Sequence, residues 1–203
     1  MNDARPAKET SGLSRVPLGV FRQSEAARAG VPPRTLYRMR DAGLLEVVGR
    51  GLYRRADAAP VDRDLLEIVT RAPDAILCLE TALARHGLTD AIPSRIDVAL
   101  PRGRSGPSTS APAAWHYFDA ATFSLGRQVM TVEGTDTTIG LYSAERCIAD
   151  AFRLRGTVGY ELALEALRAW LRWRDSHPAR LMQLAEQLPR AATPLRAALE
   201  ILA

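Results

Sequence analysis

Residues 21–55 read FRQSEAARAGVPPRTLYRMRDAGLLEVVGRGLYRR, and the punctuation in this stretch leaves little room for alternatives. Gly30 ends the first run, Pro32 and Pro33 open the second, Gly43 closes it, and Gly49 and Gly51 flank a single arginine. Glycine just past a helix supplies the left-handed residue that stops it, and proline fits the first helical turn because its missing N–H has no partner to lose there. The spacing predicts a short helix capped by Ser24, a tight turn at Gly30, a second helix over 33–42, and a hairpin with arms 45–48 and 51–54.

Charge is concentrated in the same place. Residues 15–55 hold nine arginines and three acids, a net +6, whereas the whole chain of 203 residues carries only +4. The remainder is slightly acidic, so the positive field belongs to one small module, as expected of a protein that grips a phosphate backbone at one end. At roughly 100° per residue, Leu36 and Met39 fall on one face of the second helix, and Arg34, Tyr37, Arg38 and Asp41 on the other. Apolar anchors inward and forked donors outward suit a helix that reads bases in a major groove, where arginine can bond guanine twice. Thr35, near the helix N-terminus, is expected to hold a phosphate. Arg40 is expected toward the buried side, reaching a phosphate with its end. In the hairpin, Arg50 projects alone as a wing for a narrow minor groove, and Arg54 completes the basic set.

Composition bounds the rest. At 47% hydrophobic residues the chain can bury a core. Two cysteines, Cys78 and Cys147, cannot build a disulfide framework, so a reducing cytoplasm is expected and both thiols read as small core residues. The first fifteen residues contain no apolar stretch of the signal-peptide kind, and no run is long and apolar enough for a membrane span. His86, His116 and His177 have no neighbours at metal-ligand spacing, so no metal and no cofactor are expected. All basic residues but Lys8 are arginine, which removes any acid–acid–lysine nuclease core downstream; a carboxylate-only nuclease using Asp97 and Glu133 has no supporting spacing. The glycine-containing basic run 101–106 lacks the lysine and helix of a phosphate loop and reads as a loop through 113.

Downstream of a linker near 56–64, the pattern predicts helices over 64–71 and 80–86, and strands over 95–100, 115–118, 128–132 and 137–141, the last two joined by the turn EGTD. Residues 75–79 read as a strand or a helix start. Ser143 is placed to cap a helix. A long helix then carries Leu162, Leu164, Leu167, Trp170 and Leu171 as its apolar stripe. Trp170 and Trp173 read as core, with a partner groove as the sharper alternative. Two shorter helices follow, near 179–188 and 194–202, the last capped by Thr193 with Pro194 at its first position. The fold class is α+β: a flexible lead-in over 1–14, a winged helix-turn-helix over 15–58, and a mixed domain over 62–203 with a small sheet and a helical C-terminal part.

The run QSEAARAGVPPRTLYRMRDAGLLEVVGRGLYRR, with its ending Gly51-Leu52-Tyr53, resembles the N-terminal winged helix of the AbiEi-type antitoxins of type IV toxin–antitoxin systems. LETALARHGLTD (79–90), RIDVALPRG (95–103) and SAERCIADAFR (143–153) are similar, more loosely, to that family's larger C-terminal domain. One departure is visible: Pro17 and Gly19 make the family's opening helix short, broken or displaced here. The resemblance implies a bacterial, non-enzymatic antitoxin that represses its own promoter at inverted repeats in double-stranded DNA. It also implies that the C-terminal domain counteracts a nucleotidyltransferase-like toxin. The competing readings are a toxin-binding module without DNA binding, a stand-alone winged-helix regulator, and an enzyme acting on nucleic acid.

Overall fold

A computed structural model describes residues 12–17, 19–58 and 60–202. The polar lead-in expected over 1–14 lies almost wholly outside the described residues. The chain forms two compact units, one built from residues 1–67 with 131–138, the other from 68–130 with 139–203. Helices and strands are mixed in both, so the α+β expectation holds.

The first unit is the winged head. It runs β1 (Phe21–Arg22), α1 (Gln23–Arg28), α2 (Pro33–Asp41), β2 (Leu45–Gly49) and β3 (Leu52–Arg55). Its core joins Phe21, Ala26, Val31, Leu36, Met39, Leu45 and Tyr53, with Val16 and Leu13 packed in from the preceding segment. Leu36 and Met39 are completely buried, as the helical spacing requires. Gly30 takes φ +79°, and the backbone closes behind it when Val31 N–H donates to Ala26 O at 2.8 Å. Pro32 caps α2 and Pro33 occupies its first position.

Two details differ from the expectation. The α1 cap is Arg22, two residues before the expected Ser24, and its N–H is satisfied by the Glu25 carboxylate. Three residues into the helix is where a carboxylate can reach back to the cap N–H. Second, residues 21–22 form a strand, pairing Phe21 with Tyr53 and Arg22 with Leu52, so the sheet has the order β1-β3-β2. The opening helix was expected to be short, broken or displaced; Gly12 and Leu13 are helical and the chain turns at once, Arg15 N–H donating to Gly12 O at 3.2 Å.

The second unit holds the larger sheet. In chain order come α3 (Arg63–Arg71), which begins in the first unit, β4 (Ile76–Leu77), α4 (Leu79–Arg85), β5 (Ile96–Pro101), β6 (Ala113–Phe118), β7 (Arg127–Thr131) and β8 (Thr138–Tyr142). The sheet order is β6-β5-β4-β8-β7, with β4 parallel to β8, β5 parallel to β6, and β4 antiparallel to β5. The helices α5 (Ala144–Arg153), α6 (Arg155–Val158), α7 (Tyr160–Leu171), α8 (Pro178–Glu186) and α9 (Ala192–Leu202) follow.

Helix α5 is the hub, packing against α4, α7, α8 and α9. Ser143 caps it as expected, its hydroxyl accepting from Arg146 N–H. Because α5 is surrounded, its polar residues must find partners inside. Asp150 is fully buried and accepts from Arg146 Nε at 2.9 Å and from Arg153 Nε at 2.6 Å. Arg146, also fully buried, donates to Thr122 O and Leu125 O and lies over the Tyr142 ring at 4.4 Å.

The long helix buries Ala163, Ala166, Leu167 and Trp170, so two small alanines take places expected of leucines and let neighbouring helices approach. Trp173 lies past the helix end and is exposed. The last helix begins at Ala192, so Thr193 and Pro194 sit inside its first turn rather than at the cap; proline is tolerated there because those N–H groups lack intrahelical partners. Cys78 and Cys147 are both buried and unpaired with each other, and burial pushes both thiols well above their ordinary range.

Candidate nucleic-acid interface

Along α2 the buried Leu36 and Met39 fix which side faces out. Arg34, Tyr37, Arg38, Arg40 and Asp41 are exposed, and Thr35 is half-buried near the helix start. Arg34 has no hydrogen-bond or ion-pair partner among the described residues. Tyr37 is held: its hydroxyl donates to Gln23 Oε1 on α1 at 3.1 Å. The Arg40 guanidinium lies 5.2 Å from the Tyr37 ring centroid. Arg40 was expected toward the buried side; instead it is exposed and donates Nε and Nη2 to Asp41 Oδ1 at 2.8 and 2.6 Å. Its position is one step past Met39, and the helix has already turned it clear of the core.

The hairpin turns at Arg50-Gly51. Gly51 adopts φ +70°, a conformation costly for other residues, and both residues are exposed. Arg50 thus stands at the tip without a partner among the described residues. The two arms register symmetrically about it: Leu45 with Arg55, Glu46 with Arg54, Val47 with Tyr53, with a bulge between Val47 and Gly49.

That register decides the role of Arg54. Its side chain is only 11% exposed and donates Nη2 to Glu46 Oε2 at 2.8 Å, Nε to the same oxygen at 3.1 Å, and Nη1 to Ala58 O at 3.0 Å. Arg63 Nη2 adds a third donor group to Glu46 at 3.0 Å. The Arg54 hydrogen bond, reinforced by both guanidinium charges, lowers the Glu46 carboxyl below its usual range. Arg55 is likewise engaged with Asp57, at 2.9 and 2.6 Å. The structure therefore separates the expected set: Arg34, Thr35, Tyr37, Arg38 and Arg40 share α2, Arg50 occupies the wing tip, and Arg54 is turned into a strut of the hairpin.

Sequence reasoning missed Gln23, Glu46 and Asp57, which position or neutralise their neighbours. It also missed that the turn over 131–138 belongs to the head, where Asp62 N–H donates to Glu133 O at 3.3 Å. Asp97 and Glu133, the only carboxylates weighed for catalysis, fall in different units. Asp97 is occupied by His116 Nε2 at 2.8 Å and by Thr81 N–H at 3.3 Å.

A helix-turn-helix with a basic outer face, followed by a hairpin whose arginine stands at the tip, defines a winged helix of the nucleic-acid-binding class. Within that class, residues 8–56 match the family model described as transcriptional regulator, AbiEi antitoxin, so the resemblance carried by the sequence holds for this head. No curated protein matches the chain. Among the described residues no helix is long and apolar enough to cross a membrane.

Proposed function

We propose that this chain is a transcription-regulating antitoxin that binds double-stranded DNA through α2 and the hairpin tip. The observation that carries the reading is the two-sided character of α2, with Leu36 and Met39 buried and Arg34, Tyr37 and Arg38 outward. Arg34 and Arg38 enter the major groove, where a bidentate arginine–guanine contact is worth about 1–3 kcal/mol of discrimination. Tyr37 lies between them, Thr35 and Arg40 meet phosphates, and Arg50 enters the adjoining minor groove. Arg54 supports the hairpin from behind and makes no DNA contact.

The target is an inverted repeat in the chain's own promoter, and binding there represses transcription. The second unit counteracts a nucleotidyltransferase-like toxin encoded beside it. Both activities belong in the bacterial cytoplasm. These finer statements follow from the family match over residues 8–56 taken together with the looser likeness of 79–90, 95–103 and 143–153.

The test is a gel shift on the upstream region at several salt concentrations. The wild-type chain is expected to shift it, with log affinity falling linearly against log salt. Arg34→Ala with Arg38→Ala abolishes the shift while the circular dichroism spectrum is kept. An unchanged shift in that variant removes the interface from α2.

A further inference from the structure

In the second unit, three arginines line one cavity of about 670 Å³. Arg153 and Arg155 reach it from the end of α5 and the start of α6, and Arg190 from the turn before α9. Gly156, Ala197 and, in the first turn of α9, Thr193 and Pro194 complete the wall, and among the described residues no acidic one lines it. We propose that this cavity binds a small phosphate-bearing ligand, of nucleotide size, through its phosphates.

The three arginines are not equivalent. Arg153 is anchored, since its Nε donates to the buried Asp150 and its guanidinium packs 4.8 Å from the Phe118 ring centroid. Arg155 Nη1 donates to Phe152 O at 3.0 Å, which leaves the remainder of its fork available. Arg190 is exposed, has no hydrogen-bond or ion-pair partner among the described residues, and sits at φ +66°. A side chain larger than glycine is disfavoured in that backbone region. Asp150 is shared by Arg153 and the buried Arg146, and Arg155 and Arg190, which have no acidic partner among the described residues, leave positive charge at the cavity.

Charge of that sign, beside the positive end of the eleven-residue helix α9, selects an anion. Arginine forks match phosphate geometry with paired hydrogen bonds. The volume lies within the range of small-ligand pockets, roughly 300–1,000 Å³. Among the described residues no aromatic side chain lines the wall, so it lacks the stacking platform that single-stranded nucleic acid sites use. Those two facts favour a compact phosphorylated molecule over a polynucleotide.

Titration calorimetry on the full chain tests this, with ATP, inorganic pyrophosphate and a single-stranded oligonucleotide as separate probes. The expected result is saturable binding of ATP or pyrophosphate that weakens at least about tenfold in Arg155→Gln and in Arg190→Gly. Arg190→Gly removes the guanidinium while giving the backbone the residue its φ prefers, so loss of binding in this variant is not loss of fold. Tighter binding of ATP than of pyrophosphate identifies a nucleotide; equal binding identifies a free polyphosphate. The proposal is overturned if neither small probe binds, if both variants bind as the wild type does, or if only the oligonucleotide depends on these arginines.

Discussion

The Tyr37 hydroxyl on α2 donates to the Gln23 side-chain carbonyl on α1, 3.1 Å away, so the two helices of the head are tied at their exposed edge as well as through their core. Arg40 stacks on the same ring. The outward face of α2 is thereby organised before any ligand arrives, and the aromatic ring between Arg34 and Arg38 is not free to choose its rotamer.

Gln23→Ala is expected to release that ring without disturbing the core, because Gln23 makes no contribution to the buried cluster around Leu36 and Met39. A hydrogen bond of this kind is worth about 1 kcal/mol, which corresponds to a three- to tenfold loss of DNA affinity, on the order of a single neutral contact. The measurement is a quantitative gel shift against wild type, paired with thermal melting. A large fall in melting temperature would mean that the bond serves the fold instead.

Arg50 offers a different signature. It stands at the hairpin tip, so Arg50→Ala is expected to leave stability within about 0.5 kcal/mol of wild type. Loss of one phosphate or minor-groove contact reduces the slope of log affinity against log salt by about 1. A slope identical to that of wild type would place the tip away from DNA.

How legible this site was depends on which rule governed each residue. Gly30, the two prolines and the 3.6-residue spacing of Leu36 and Met39 are local signals, and they specified the turn and α2 almost to the residue, while α1 begins two residues before the place that Ser24 suggested. Arg40 was misplaced because it lies near the edge of the apolar sector, where one residue of rotation decides exposure. Strand β1 was invisible: two residues, Phe21 and Arg22, carry no periodicity, and only pairing with Leu52 and Tyr53 makes them a strand. Arg54 was legible and missed. A turn centred on Arg50 puts Glu46 opposite Arg54, and opposite charges across a hairpin pair with each other first. The assignment of 131–138 to the head joins residues some seventy positions apart, which no local pattern encodes.

The Glu46 cluster makes the head's stability depend on pH in a definite direction. Its carboxyl is lowered chiefly by the Arg54 hydrogen bond, so the unfolded chain takes up a proton at higher pH than the folded one. The stabilisation is present above the unfolded value, near the ordinary 4.5, and is lost as pH falls through the lower folded value. Glu46→Gln is expected to melt below wild type at pH 7, with the difference closing as the pH drops beneath that range. Arg54→Ala should reproduce the neutral-pH loss while the salt slope of DNA binding stays unchanged. A reduced slope in Arg54→Ala would restore Arg54 to the DNA interface.

The strongest structural prediction concerns Asp150. It is fully buried on α5 and accepts from both Arg146 and Arg153, and Arg146 Nη2 is itself buried without a partner among the described residues. Removing the carboxylate leaves a guanidinium in the interior with no counter-charge, and breaking a buried pair from one side costs about 3–5 kcal/mol. Asp150→Ala is therefore expected to unfold the second unit at a much lower denaturant concentration. Replacing Arg146 and Asp150 together with Met and Leu removes the stranded charge and should recover much of that loss, because a well-packed apolar pair is often as stable as the ion pair it replaces. Denaturation followed by circular dichroism on the two variants distinguishes the cases. If the double variant is no more stable than Asp150→Ala, then the carbonyl contacts of Arg146 to Thr122 and Leu125, not the ion pair, are what hold the connection before β7 in place.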